Sequence, residues 1–294
     1  MAQNLLILQS MWAMERRRPD GLEWSLDEKV TMIREAGFDG ANLTFRSLEY
    51  AQEITDRLKA DNLVWIADCF PTSVADLKTV IGYVEKIGAL HINVLPLVRP
   101  YTLAEAIPYV EGWRRLSRES GIPVYIETHR NEMTTDLIFT LHLLDAFPDL
   151  PLTGDLSHLV VGREFQYPIL EETHRWIHRI LDNCWALQGR VASREQIQVP
   201  ITFPQHKHWV DLFLAWWEYG IRSWRRRAPK DATLTFLCEL GPKEYAITGA
   251  DGFELSDRWQ ESLLMKGLIR DLWNEIEAEE AAGAAQSRPL PARP

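Results

Sequence analysis

Four polar side chains stand at the ends of four apolar runs: Glu127 in PVYIETH, Asp155 in LPLTGDLSH, Gln188 in WALQGRV and Glu239 in TLTFLCEL. Each run reads as a strand preceded by a helical stretch, which puts the four groups at the same end of successive parallel strands. In a closed barrel of such strands they converge on the C-terminal mouth, where the chemistry of these folds is carried out. Clustered oxygen donors are what a hard divalent cation needs. A carboxylate inside an apolar strand is costly to bury unless something compensates it. A salt bridge, for instance Glu127 with Arg130, is the alternative to a metal ion.

Further polar residues fall near the same end. Asp155 and His158 form a DLSH pair that can present a metal-binding carboxylate beside an imidazole able to bind substrate or shuttle a proton. In isolation the pair reads equally as a turn cap and a loop histidine. His129 and Arg130 follow Glu127 directly and can face substrate oxygens or sit on the loop. His91, Asn93, Asn42 and Asp68 are polar groups in earlier strands, available to substrate hydroxyls or satisfied within the barrel. Trp12 ends the first strand and can wall a pocket. His174 and His178 have i, i+4 spacing on a helix but lack the acidic companion of an HExxH site, so they read as a helix surface. His206 and His208 belong to a long loop. The sequence contains no GxSxG elbow, Walker loop or Cys/His framework.

The elements that must position these residues alternate regularly. Strands are expected at 5–12, 38–45, 63–70, 90–98, 122–129, 150–158, 185–192 and 233–240. The helices between them are expected at 25–37, 48–60, 74–87, 103–119, 135–146, 170–183, 209–227 and 257–281. Ser25 and Glu28 make a capping box for the first helix, and Gly37 ends it. Near-continuous apolar strands between helices predict a parallel sheet covered on its outer face. Eight such units predict a single (β/α)8 TIM barrel over residues 1–282, with a disordered tail at 283–294. GxGxxG is absent after the first strand, which argues against a dinucleotide fold. The connections after strands seven and eight are long, as binding loops are.

At 294 residues and 46% hydrophobic content the chain can build one large core. A formal net charge of −10 disfavours nucleic-acid binding, and Arg225, Arg226 and Arg227 read as a solvated helix end. Three cysteines without a pairing pattern fit a reducing, cytoplasmic setting. No apolar run is long enough to span a membrane. Trp216, Trp217 and Trp224 can serve a subunit contact in a homo-oligomer or pack in the core.

The strand-end pattern IETHR, GDLSH and CELGPKEY resembles the xylose isomerase-like TIM-barrel superfamily of sugar isomerases, epimerases and lyases, with endonuclease IV a distant member. The resemblance spans roughly residues 4–280 and is nearest to a branch known as sugar phosphate isomerase/epimerase. It implies one divalent ion, Mn2+ or Mg2+, held by Glu127, Asp155, Gln188 and Glu239. The superfamily's ligand histidine falls on Gln188, whose neutral carbonyl oxygen suits Mg2+ or Mn2+ better than Zn2+. Arg194, six residues on, stands where the sugar epimerases bind substrate, and His158 matches a substrate-contacting histidine. A further epimerase glutamate falls on Met133, one residue past Glu132. The implied activity is isomerisation or epimerisation of a small sugar or sugar-like substrate. It proceeds by proton transfer next to a carbonyl held by the ion, through an enediolate, with Glu127 or Glu239 as the base. A lyase or dehydratase acting on a keto-sugar or polyol, and a non-catalytic sugar-binding barrel, are the alternatives.

Overall fold

The computed structural model describes residues 2–18 and 20–286. Its eight strands are β1 (Asn4–Ser10), β2 (Gly40–Thr44), β3 (Val64–Cys69), β4 (Ile92–Val94), β5 (Val124–Glu127), β6 (Leu152–Gly154), β7 (Cys184–Gly189) and β8 (Thr233–Cys238). They pair in chain order, all parallel, and β1 closes on β8 from Asn4 opposite Thr233 to Gln9 opposite Cys238. The chain therefore folds as a single (β/α)8 barrel. Its outer ring begins with α1 (Leu26–Glu35), α2 (Leu48–Ala60), α3 (Val74–Ile87), α4 (Leu103–Ser120) and α5 (Leu137–Ala146). It continues with α6 (Leu156–Gly162), α7 (Glu171–Leu181), α8 (Lys207–Arg227) and α9 (Arg258–Gln286).

The local signals act as expected. The Ser25 hydroxyl accepts from the Glu28 amide while Glu28 accepts from the Ser25 amide, and Gly37 takes a left-handed φ of 68° just past the helix. The strands are shorter than the apolar runs that announce them. β4 keeps only three residues of the expected nine, and beyond it Leu95 and Leu97 still donate to the carbonyls of Cys69 and Pro71. The stretch after β6 is not a plain loop: Asp155 caps α6, accepting from the Ser157 amide at 3.0 Å. The last helix runs to Gln286, past the start of the expected tail, and residues 287–294 lie outside those described.

Side chains along a strand alternate between its two faces. Leu8, Ile66 and Leu237 pack together inside the barrel, whereas Leu5 and Ile7 join the large cluster between strands and helices. Trp216, Trp217 and Trp224 are each 1% exposed, so they belong to the core and do not form a subunit contact. Trp217 meets Phe236 edge-to-face at 5.2 Å, fixing α8 against β8. No helix among the described residues is long and apolar enough to cross a membrane.

Two long connections are bound to each other at the mouth. Gln198, in the loop after β7, donates to the Gly241 carbonyl at 3.3 Å and accepts from the Gly241 amide at 2.6 Å. Arg258, 1% exposed, donates to the carbonyls of Ala13 at 2.6 Å and Glu15 at 3.0 Å, tying the loop after β1 to the start of α9.

Gly40 lets β2 and β3 approach: a Cβ there would lie 1.9 Å from the Val64 carbonyl oxygen. Backbone in a closed barrel cannot yield, so Gly40→Ala should cost about 3 kcal/mol and lower Tm by roughly 6–12 °C. Gly82→Ala, on α3 with nothing within 4 Å of its Cβ, should leave Tm unchanged or raised. Thermal unfolding followed by circular dichroism of both variants checks the pair.

Candidate active site at the barrel mouth

The same alternation that puts Leu237 inside the barrel puts Glu239 inside two residues later, at the C-terminal end. It carries Ile66 to Asp68 on β3, His91 just before β4 to Asn93 on it, and Gln188 on β7 to Arg190 one residue past it. Asp68, Asn93, Glu127, Asp155, Gln188 and Arg190 are all 6% exposed or less. The Glu239 side chain is 13% exposed.

Oxygens of Glu127, Asp155 and Glu239 lie within 4.8 Å of one another, close enough to share an ion. Gln188 joins them: its amide donates to Glu127 Oε2 at 2.9 Å. Asn93 donates to the same oxygen at 2.6 Å and to Asp68 Oδ1 at 3.1 Å. Because a carboxylate oxygen accepts, these contacts fix both amides with their carbonyl oxygens turned away. Glu127 Oε1, Gln188 Oε1 and Asn93 Oδ1 are buried and meet no hydrogen-bond donor. A buried acceptor without a partner is costly, and acidic oxygens with a neutral amide oxygen suit a hard cation. The three converging carboxylates fit a hard divalent cation.

One charged residue of the site was not singled out in the sequence. Arg190, 2% exposed, donates from Nη2 to Asp155 Oδ2 at 2.6 Å and to Glu239 Oε2 at 3.0 Å. It is a charged residue one step beyond an apolar strand, the same signal that marks Glu239. Arg194, the expected substrate-binding arginine, is not among the residues that line the cavity. It lies four residues farther along the loop and pairs with Glu195 at 2.8 Å and Glu164 at 3.8 Å.

Electrostatics follow from this crowding. Burial pushes the Glu239 carboxyl up to about 8, against the pull of Arg190. Glu127 is raised well above the ordinary range by burial, with Glu239 and Asp155 adding to the effect. Asp68 rises to about 6 through burial, partly offset by its amide partners. Asp155 goes the other way: burial works against it, but Arg190, His158 and Ser157 hold it down at about 2. Arg190 is held above its ordinary value by Asp155 and Glu239 in spite of burial.

Above the carboxylates lies a cavity of about 240 Å³, lined by Trp12, Asn42, Asp68, Phe70, Leu95, His129, Arg190, Glu239 and Tyr245. Trp12 meets Tyr245 edge-to-face at 5.2 Å, and Arg130 lies over the same Tyr245 ring at 5.4 Å. Gly241 makes this packing possible, since a Cβ there would fall 2.6 Å from Tyr245 and 2.8 Å from Trp12. Tyr245, Phe70 and Leu95 carry no polar pattern in the sequence and were not anticipated.

His129 reaches the cavity. Its Nδ1 is 2.7 Å from the Arg130 carbonyl, which only accepts, so Nδ1 carries the proton and Nε2 is left as an acceptor. Burial lowers its pKa to about 4, so the ring is neutral near pH 7. His158 sits one layer behind, 1% exposed, its ring 3.9 Å from that of His129 and its Nε2 3.4 Å from Asp155 Oδ2. His91 is not at the mouth. It precedes β4, and its Nε2 lies 2.9 Å from Thr235 Oγ1 deeper in the barrel, with its ring 4.6 Å from Tyr125. His174 and His178 do not form an open helix surface: Trp216 donates to His174 at 3.0 Å and Tyr219 stacks on His178 at 3.7 Å.

Neither a protein-family model nor a curated protein matches the sequence. Solved structures do match in fold. A xylose isomerase-like TIM barrel protein from Mycobacterium smegmatis in complex with magnesium is 14% identical, with a TM-score of 0.57 over 91% of this chain and 97% of that one. A probable 3-DHS dehydratase from Bacillus anthracis is 14% identical, with a TM-score of 0.56 over 91% and 98%. D-psicose 3-epimerase from Clostridium cellulolyticum H10, solved with D-tagatose, is 10% identical, with a TM-score of 0.56 over 92% and 99%. The chain thus has the fold of the xylose isomerase-like TIM barrels.

The buried His91 ring gives a stability signature. Burial lowers its pKa to about 3, against about 6.5 in an unfolded chain. Below about pH 6.5 the unfolded state takes up a proton that the folded state refuses, so stability falls as pH drops toward 3. Between pH 7 and pH 4 this one group should account for on the order of 3 kcal/mol. Urea unfolding should show a shallower acid-side loss for His91→Gln than for the native chain. Equal slopes would mean that His91 is charged or solvated in the folded protein.

Proposed function

We propose that the chain is a divalent-metal-dependent enzyme of the sugar isomerase or epimerase type, acting on a small hydroxylated carbonyl compound. The observation that carries this reading is the meeting of Glu127, Asp155 and Glu239 oxygens within 4.8 Å beneath a cavity of about 240 Å³. Glu127, Asp155 and Glu239 would hold Mn2+ or Mg2+, as their converging oxygens and the unpartnered Glu127 Oε1 favour, with Gln188 the fourth donor once its amide turns its oxygen inward. When bound, the ion acts as a Lewis acid toward the substrate carbonyl and acidifies the neighbouring C–H.

The remaining work falls to side chains. Glu239 lines the cavity and only its Oε2 accepts a hydrogen bond from the protein, so Glu239 is assigned the removal and return of the proton. Glu127 has one oxygen taken up by Asn93 and Gln188 and does not line the cavity, which suits holding the ion better than meeting substrate carbon. His129 Nε2 is placed to accept from a substrate hydroxyl, and His158 fixes His129 and Asp155 from behind. Trp12 and Tyr245 form the apolar wall, and Arg130 reaches the rim beside them. Return of the proton to the other face gives epimerisation, and to the adjacent carbon, isomerisation. Departure of a β-hydroxyl gives the dehydratase outcome from the same first step.

Nucleic acid is a poor fit as substrate. Arg225 is engaged by Glu277 at 3.2 Å and Glu280 at 2.8 Å, which removes one cation from the basic cluster read in the sequence. The three cysteines are free and buried, in keeping with a reducing compartment.

Exchange of substrate C–H for solvent deuterium tests the shared first step without prior choice of product. A panel of ketoses and keto-polyols, with Mn2+ or Mg2+ supplied, should include a compound that exchanges. Chelation should stop the exchange and added metal restore it. Glu239→Gln should lower the rate by about 100-fold or more with an unchanged circular dichroism spectrum. A folded Glu239→Gln protein that exchanges at the native rate removes Glu239 from the reaction.

A further inference from the structure

The metal carboxylates already have a cation. Arg190 Nη2 lies 2.6 Å from Asp155 Oδ2 and 3.0 Å from Glu239 Oε2, and its side chain is 2% exposed. These are two of the three carboxylates whose oxygens gather within 4.8 Å. Asp155 has little to spare: Ser157 donates to Oδ1 from both its amide at 3.0 Å and its hydroxyl at 2.6 Å, while Arg190 occupies Oδ2. A guanidinium keeps its charge at every accessible pH. A divalent ion on the same oxygens must therefore meet a permanent positive charge in a low-dielectric setting, where repulsion is weakly screened.

We infer that Arg190 is a built-in competitor for the metal ion. The guanidinium holds Asp155 and Glu239 together in the metal-free protein, and it must give up part of that hold when the ion binds. The affinity of the site is thereby lower than its acidic donor set alone would provide, and Arg190 sets it. The surroundings allow such a shift. Arg190 Nε is buried without an acceptor, so the side chain is not anchored at its stem. Its guanidinium carbon lies 5.5 Å from the centre of the Tyr245 ring, an aromatic face that can carry the charge when the carboxylates turn to the ion. The inference rests on the reading that the site takes a divalent cation.

The test is calorimetric titration of Mn2+ into the full chain, the native protein beside Arg190→Gln and Arg190→Lys, with Mn2+ electron paramagnetic resonance as a second readout. Arg190→Gln removes the charge and should bind Mn2+ about tenfold or more tightly than the native protein. Arg190→Lys keeps the charge and should stay within about threefold. Mn2+ should also raise the Tm of Arg190→Gln by more than it raises the native Tm. A folded Arg190→Gln protein with native or weaker affinity overturns the inference while leaving the metal reading intact. Absence of binding at millimolar Mn2+ in both the native protein and a folded Arg190→Gln overturns both. Binding by the variant alone supports the competitor role and overturns the native metal site. If Arg190→Gln does not fold, nitrogen-15 NMR of the arginine side chains in the native protein decides. Diamagnetic Mg2+ should shift the Arg190 Nε resonance, and an unmoved resonance in a Mg2+-loaded protein refutes displacement.

Discussion

Asp68, Glu127, Asp155 and Glu239 are carboxylates on inward positions of a closed barrel, and one guanidinium stands among them. Burying charge in a medium of low dielectric is tolerable only where each charge has a partner. Arg190 provides for Asp155, which stays ionised, and partly for Glu239. Glu127, Glu239 and Asp68 are pushed upward first by burial, and at Glu127 and Glu239 the neighbouring carboxylates add to it. The cluster holds more acid than base, and protons or a divalent ion can make good that deficit. The site is thus defined by a shortage of positive charge that the protein itself only partly fills.

The barrel imposes this shortage through its period. Strand side chains alternate, so a run that places Leu8, Ile66 and Leu237 in the interior must place the next inward residue at the mouth. Below the carboxylates the interior is apolar or internally paired, as with His91 and Thr235. With little solvent to stabilise their charge, the Glu127, Glu239 and Asp68 carboxyls are held above the ordinary carboxylate range. The same geometry explains the division between the two glutamates. Glu127 ends its strand and points among amides, whereas Glu239 lies one residue past its strand and lines the cavity.

Much of this was legible in the sequence because the signals were local. Eight apolar runs, their helices and the capping box at Ser25 follow from periodicity and from short-range hydrogen bonding. The convergence of Glu127, Asp155, Gln188 and Glu239 follows from their common place at strand ends. What could not be read depends on contacts distant in sequence. Arg190 and Arg194 are both arginines after the seventh strand, and only the position of Asp155 and Glu239 across the barrel decides that the first is drawn inward. His91 and Asn93 sit two residues apart on one inward face, yet the depth of each, and so its partner, is set by the stagger between strands. The short helix after Asp155 was hidden because its seven residues are too few for a helical period to emerge.

Access to the cluster is governed by the loops, and their arrangement is constrained more tightly than their length suggests. Gln198 and Gly241 exchange two hydrogen bonds, which couples the loop after β7 to the loop after β8. Gly241 also stands where Tyr245 and Trp12 press against the backbone with no room for a side chain. Tyr245 in turn faces both Arg130 and Arg190. A movement of this one ring would therefore reach the rim, through Arg130, and the carboxylates, through Arg190, at the same time. Tyr245 thus lies between the wall that shapes the cavity and the cation that balances its floor.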